Sequence, residues 1–386
     1  MMLQEIFKNH IKHSVSWGFI MAILSPQALA DTLQAKGLHH SPGGDDLIYL
    51  DPQKSSFTEA SVEHQSFGGQ ASSEKERFTG YTDSHKLSIH AGRSINPILL
   101  FHGYASRQMA ESSYSTRWGH RAFSYSAQTV RTEFGAGPSL RVKKLVFGGE
   151  VGVVQESEEQ QEITTQTREI QARIPSGRIP FVRVHTGYTD QKKSFVAGAK
   201  LVGGADLDRI VTTNFQERYQ KTIHKSDPQQ LWIVGLFTPT PRLKFAGELT
   251  YNQIKAKIDR LEESDARLMT QSPMKEQDFV NLAFGGSYQA SDDVELNSTL
   301  SYLTPRYETT EDASLIHQNL GGPKIVVGGK LNINLGNIGF NAGYTLPQKL
   351  RYTVKDQAAT PWAEAGENIT MQQDVWVYRF SIDLVI

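Results

Sequence analysis

His39, His40, His64, His85, His90 and His102 stand among plentiful serines and carboxylates, the raw material for hydrolysis or metal binding. An imidazole within reach of a serine can activate it as a nucleophile, and histidines at fixed spacings can hold a metal. The chain supplies neither signature. It has no Gly-x-Ser-x-Gly turn, no His-Glu-x-x-His helix and no glycine-rich phosphate loop. It contains no cysteine, which excludes thiolate sites and disulfides. His39-His40 has no partners at metal-ligand spacing and reads as a solvated loop pair. The sequence therefore assigns no catalytic, cofactor-binding or metal residue, and it does not read as an enzyme. With 40 basic and 41 acidic side chains, a formal charge of −1 gives no reason to expect a nucleic-acid partner.

The charges that call for an explanation are those between apolar neighbours. Arg131, Glu133, Arg141, Glu150, Lys244, Glu248, Lys330, Arg379 and Asp383 all fall at alternate positions of such segments. A planar guanidinium suits a carboxylate headgroup, whereas paired charges would stiffen a wet wall. The elements that position them are strands. In "VELNSTLSYL" Val294, Leu296, Leu300 and Tyr302 face one way and Glu295, Asn297, Thr299 and Ser301 the other. "LKFAGELTY" and "KIVVGGKLNINL" alternate likewise, and a period of two is a strand with one apolar face. Unpaired charge is too costly for a dry sandwich core. A water-filled or ligand-lined lumen accepts it.

Fourteen such segments are predicted, near 55–66, 86–95, 97–108, 127–139, 144–155, 179–189, 193–204, 229–238, 242–254, 277–289, 293–303, 323–335, 337–347 and 373–386. Most have the roughly ten residues that a tilted membrane strand needs. Short turns ("SINP", "SLRVKK", "TDQKK", "TPTPR", "QASDD", "NLGN") alternate with long polar stretches at 67–85, 109–126, 156–178, 205–228, 255–276, 304–322 and 348–372. Even strand number with long and short connections in alternation is the signature of an outer-membrane barrel. No apolar run approaches the ~18 residues of a spanning helix. A mean hydropathy of −0.41 is no objection, since lumen residues dilute the average. The final "DVWVYRFSIDLVI" reads as a lipid-facing strand that closes the sheet and serves as the signal to the barrel-assembly machinery. Tyr251, Tyr288, Tyr302 and Tyr344 are expected near the outer strand ends, as an aromatic girdle.

The expected fold is all-β: a transmembrane antiparallel barrel of about fourteen strands with an N-terminal plug. Residues 1–30 read as a signal peptide, with Lys8 and Lys12, an apolar run, Pro26 and a cleavage site between Ala30 and Asp31. Residues 31–54 are an irregular plug or hatch, and 55–386 the barrel. Both termini are expected in the periplasm of a Gram-negative cell, with outer-membrane lipid and lipopolysaccharide around the wall.

"TEFGAGPSLRVKKLVFGGEVGVV", "LWIVGLFTPTPRLKFAGELTY" and "VNLAFGGSYQASDDVELNSTLSYLTP" each read strand, short turn, strand, and resemble the hairpins of FadL-type outer-membrane transporters. The strand number and the placement of the N-terminal segment resemble that family too. The resemblance implies passive uptake of hydrophobic compounds such as long-chain fatty acids, captured by outer loops and gated by the hatch. The hatch candidates are Asp45, Asp46, Asp51 and Pro52, of which only Pro52 matches the family's Asn-Pro-Ala motif. Ile258, Leu261 and Leu268, with Met269 nearby, have helix-compatible spacing, which suits either packing of the loop onto the barrel rim or an amphipathic helix at a ligand mouth. A general diffusion porin and a structural barrel are the alternatives, and the hatch segment is the discriminating feature.

Overall fold

The computed structural model describes residues 56–384, leaving out 73–76, 119–120, 158, 166–168, 191, 214–217, 255–276, 306–320, 334–335, 354–365 and 367. Ala30, Asp31, the hatch candidates, His39-His40 and the loop-helix residues therefore lie outside the described residues.

Strands β1 (Ser56–Ser72), β2 (Arg77–Ser94), β3 (Leu99–Trp118), β4 (Arg121–Val142) and β5 (Leu145–Glu156) open the chain. Next come β6 (Glu159–Thr165), β7 (Glu169–Ile174), β8 (Gly177–Thr189), β9 (Lys193–Val202), β10 (Gly204–Thr213) and β11 (Arg218–Ser226). The remainder are β12 (Gln229–Thr240), β13 (Leu243–Gln253), β14 (Phe279–Gln289), β15 (Val294–Leu303), β16 (Gly322–Ile333), β17 (Gly336–Thr353) and β18 (Asn368–Leu384). No helix occurs among the described residues.

All 18 segments form one sheet. Eight of them are halves of longer spans. β4 pairs with both β5 and β6, β8 with β5 and β9, and β10 with β7 and β11. Joining β5 to β6, β7 to β8, β9 to β10 and β11 to β12 gives the fourteen spans of a closed antiparallel barrel. Closure is by β1, which pairs with β2 on one side and β18 on the other, from Thr58↔Leu384 to Ser72↔Thr370. No edge is left there to template aggregation. The interruptions have local causes. Pro180 offers no N–H to the ladder, and its carbonyl accepts from Gly203 N at 2.8 Å where β9 stops. The Gln229 side chain then replaces the ladder, accepting from Val202 N at 2.9 Å and donating to Val202 O at 2.5 Å.

The six short turns stand where the sequence puts them, and Lys143 opens the two-residue turn after β4 with a φ of 57°. The long stretches differ. Much of 67–85, 109–126, 156–178, 205–228 and 348–372 is not loop but strand, so that β3 and β4 run to 20 and 22 residues. At ~3.3 Å per residue these spans outrun a hydrocarbon layer of about 30 Å. Beyond lipid neither face needs to be apolar, so the period-two signal fades while the hydrogen-bonded ladder continues. One tyrosine also departs from expectation. Tyr288 pairs with Leu243 at the short-turn end, whereas Tyr251 and Tyr302 lie near the opposite rim.

The outer surface is the expected apolar one. Leu296, Leu300, Ile325, Val327, Leu331, Phe340, Trp376, Tyr378 and Phe380 are all exposed. Their strand neighbours Glu295, Asn297, Thr299, Lys330, Asn341 and Ser381 are buried on the inner face. This inversion, polar inside and apolar outside, is what lipid as solvent demands.

Candidate functional site: the inner wall

Period two decides what the lumen sees. Along "GRIPFVRVHTGYT" every odd-numbered position from Gly177 to Thr189 points inward, giving Ile179, Phe181, Arg183 and His185 to the interior. The same alternation supplies Val146, Glu150, Val154 and Glu156 from β5, and Val196, Lys200 and Val202 from β9. Trp232, Val234 and Leu236 come from β12. Three zones result.

Nearest the short turns of this side lies a polar cluster. Ser139 Oγ sits 2.8 Å from His102 Nε2 and 3.1 Å from His185 Nε2. His102 Nδ1 is 2.9 Å from Glu150 Oε1, and Glu150 Oε2 is 3.7 Å from the Arg183 guanidinium. Arg183 in turn lies 5.2 Å over the Trp232 ring, a cation–π contact that offsets part of the guanidinium's burial. Serine, histidine and carboxylate in series have the connectivity of a hydrolase triad. Access is the missing ingredient: Ser139 is 0 % exposed. A Cβ on Gly148 would come within 2.4 Å of its Oγ and 2.2 Å of His185 Nε2. The cluster is packed wall, with two imidazoles sharing one hydroxyl.

Farther from the turns is a second charged group. Arg131 forks onto Asp227, with one contact at 2.8 Å, and reaches Glu133 at 3.4 Å and Glu156 at 3.5 Å. Lys200 Nζ lies 2.5 Å from Glu133, whose other short contact is the Tyr104 hydroxyl, donating. Two cations thus face three carboxylates. Each of the two cations has a carboxylate partner.

Between and beside these clusters the lumen wall is apolar. Val154, Ile179, Phe181 and Val202 form one buried patch against Tyr104 and Ala205. Val146, Val196, Trp232, Val234, Leu236, Ala246 and Ala283 form another. Lys200 Nζ rides 4.4 Å above the Phe181 ring, at the junction of apolar patch and ion cluster. Small residues make the room: a Cβ on Gly152 would lie 2.3 Å from Phe181, and one on Gly198 2.3 Å from Trp232.

Of the inward charges expected from sequence, Arg141, Glu150, Glu248 and Lys330 are buried inside, and Arg131, Glu133, Lys244 and Arg379 are partly covered there. Asp383 has no described side chain. The fold brings Arg131, Glu133 and Glu150 to the apolar wall; Lys244 instead pairs with Glu295 at 3.7 Å on the β13–β15 side. Sequence reasoning missed Arg183, His185, Lys200 and Glu156 as members of the site. Their signal was available in the same alternation of β5, β8 and β9. Among the described residues no group of three or more metal-ligating side chains converges.

No family model and no curated protein matches the sequence. Solved structures do. A FadL homologue of Pseudomonas aeruginosa aligns at a TM-score of 0.62 and 9% identity, covering 94% of this chain and 100% of that one. The toluene transporter TodX of P. putida aligns at 0.60 and 11% identity, over 86% of this chain and 90% of its own. The toluene transporter TbuX of Ralstonia pickettii follows at 0.55 and 9%, over 85% and 90%. At such identities the likeness is one of fold: this chain has the barrel of the FadL and TodX type.

Proposed function

We propose that this barrel is a passive channel for hydrophobic compounds across the outer membrane of a Gram-negative cell, with long-chain fatty acids as the first candidate class. The observation that carries the reading is the apolar patch of the barrel interior at Val154, Ile179, Phe181 and Val202, packed shut at 0–8 % exposure, whose side chains a hydrophobic ligand would part and then contact. A general diffusion pore has no use for greasy lumen residues, which raise the cost of wetting it. An apolar solute gains from them what it loses on leaving lipid. Monoaromatic hydrocarbons are the second class, since the fold neighbours TodX and TbuX are toluene transporters. Lys200 and Arg131 already have carboxylate partners. The wall, rather than a headgroup anchor, therefore supplies the affinity, and a methyl ester should bind about as well as its acid.

In this reading the short turns and both termini face the periplasm. The extended strand ends face outward and gather the ligand, and residues 31–54 with Asp45, Asp46, Asp51 and Pro52 plug the lumen and gate it. The test is displacement of a fluorescent fatty-acid analogue from the purified barrel. Saturable displacement by fatty acid or toluene, weakened by deleting residues 31–54, supports a hatch-gated hydrophobic channel. No displacement, with small sugars passing through reconstituted vesicles, means a general pore.

A further inference from the structure

The outward face of the closing seam carries groups that lipid alone does not explain. Reading away from the short turns, β2 presents Ile89, Leu87, His85 and then Asp83, and β1 presents Val62 and then His64. Across the seam β18 presents Phe380, Tyr378 and Trp376, and on the other side of β2 the strand β3 presents Phe101, Ala105, Arg107 and then Met109. On β1 and β2 the change from apolar to polar falls at the two histidines. His64 is the eighth residue beyond Ser56, the start of β1, about 20 Å along the barrel axis for a strand tilted by roughly 40°. That lies in the outer part of an apolar band ~25 Å tall.

The imidazoles are directly opposed: His64 Nδ1 lies 3.3 Å from His85 Nδ1, with ring centroids 4.6 Å apart. His64 stacks on Tyr378 at 6.4 Å, and Tyr378 on Trp376 at 6.3 Å, an interfacial aromatic row that fixes the depth of the pair. Two imidazoles facing through Nδ1 can share one proton there. In the neutral pair one Nδ1–H donates to the other Nδ1, and the accepting ring carries its own proton on Nε2, where it can donate outward. Arg107 is exposed on the same outer face and lies diagonally across the ladder from His85, whose direct partner is Met109. Such diagonal neighbours are within reach of a long side chain. Asp83 and Glu111 oppose one another one step farther out, and Glu111 is held by Gln128 Nε2 at 3.3 Å. Their carboxylates bound the zone of donors on the water side.

We infer that His64, His85 and Arg107, backed by Tyr378, form a binding site for the phosphorylated headgroup of outer-leaflet lipid A on the lipid-facing wall. A phosphate between the imidazole pair and Arg107 accepts charge-assisted hydrogen bonds from both kinds of donor, and its acyl chains lie along Leu87, Val62 and Phe380. The inference shares only the membrane orientation with the transport reading, and its test does not depend on transport.

The full mature chain is placed in phosphatidylcholine nanodiscs doped with bisphosphorylated lipid A, dephosphorylated lipid A or phosphatidylglycerol. Lipid retained per barrel after detergent extraction is counted by mass spectrometry. Bisphosphorylated lipid A should be retained roughly tenfold over its dephosphorylated form, and His64→Gln/His85→Gln should remove about that factor. Arg107→Gln alone should remove several-fold, which decides the matter if the double variant does not fold. Equal retention of both lipid A forms, or full retention by folded variants, overturns the site. A preference for phosphatidylglycerol overturns the assigned lipid.

Discussion

Glu150 ties two buried side chains of the inner wall together, His102 and Arg183. Its side chain is fully enclosed, and the Arg183 side chain is 4% exposed. At 3.7 Å, opposite charges attract by about 4.5 kcal/mol at an effective dielectric near 20. Against this stands the desolvation of both groups, so the pair's net contribution is far smaller than its attraction. Removing one partner is another matter, because Arg183 then loses this carboxylate while staying buried. Glu150→Ala should cost about 3–5 kcal/mol, more than a hundredfold in the folding equilibrium. Glu150→Gln keeps the shape and a hydrogen-bond acceptor for His102, and should cost about 1–3 kcal/mol. Glu150→Gln/Arg183→Met removes both charges and should recover most of the loss. The assay is urea unfolding of the barrel in detergent or lipid vesicles, followed by tryptophan fluorescence and by the heat-dependent shift on gels. An Ala variant within 1 kcal/mol of the parent would refute the reasoning, as would a double variant no better than Glu150→Ala.

Phe181→Ala removes the ring from the apolar patch and should weaken displacement by fatty acid or toluene several-fold, at a stability cost of about 3–5 kcal/mol, with the heat-dependent gel shift retained. Gly148→Ala forces a Cβ to 2.2 Å from His185 and should destabilise by about 1–3 kcal/mol. Gly235→Ala meets nothing within 4 Å and should be neutral or slightly stabilising in the same unfolding assay. At the short-turn end, the Asp190 carboxylate accepts from Lys192 N, Tyr188 Oη and Lys144 Nζ, which hold its pKa down at about 2. A depressed acid stabilises above its ordinary value near 4, and the contribution is lost as pH falls toward about 2. Side-chain carboxyl NMR of the barrel in micelles should show Asp190 titrating well below the other exposed aspartates.

The architecture was legible in the sequence because lipid imposes a period. Each strand must be apolar on one face, so Leu296, Leu300, Ile325 and Val327 declared both strand and direction, and their alternate neighbours Glu295 and Lys330 declared the lumen. The six turns and the pairing of the last strand with the first follow from the same rule. Where lipid ends the rule ends, so the strand continuations beyond it were read as loops. Tyr288 was placed at the wrong rim because aromatic girdles occur at both ends and composition does not say which.

Alternation told that Arg131, Glu133 and Glu150 point inward, but not whom they meet. Lys200 and Glu133 are 67 residues apart in the chain and Arg131 and Asp227 are 96. Only the stagger of neighbouring strands brings them to one height. The same holds for His64 and His85, joined across a β1–β2 hairpin whose register sets them opposite. A strand's own residues determine its faces; which faces meet depends on registers shared with partners far along the chain. The sequence thus announced a barrel with a charged interior, while the apolar wall, its ion clusters and the histidine pair at the seam were decided by the closed sheet.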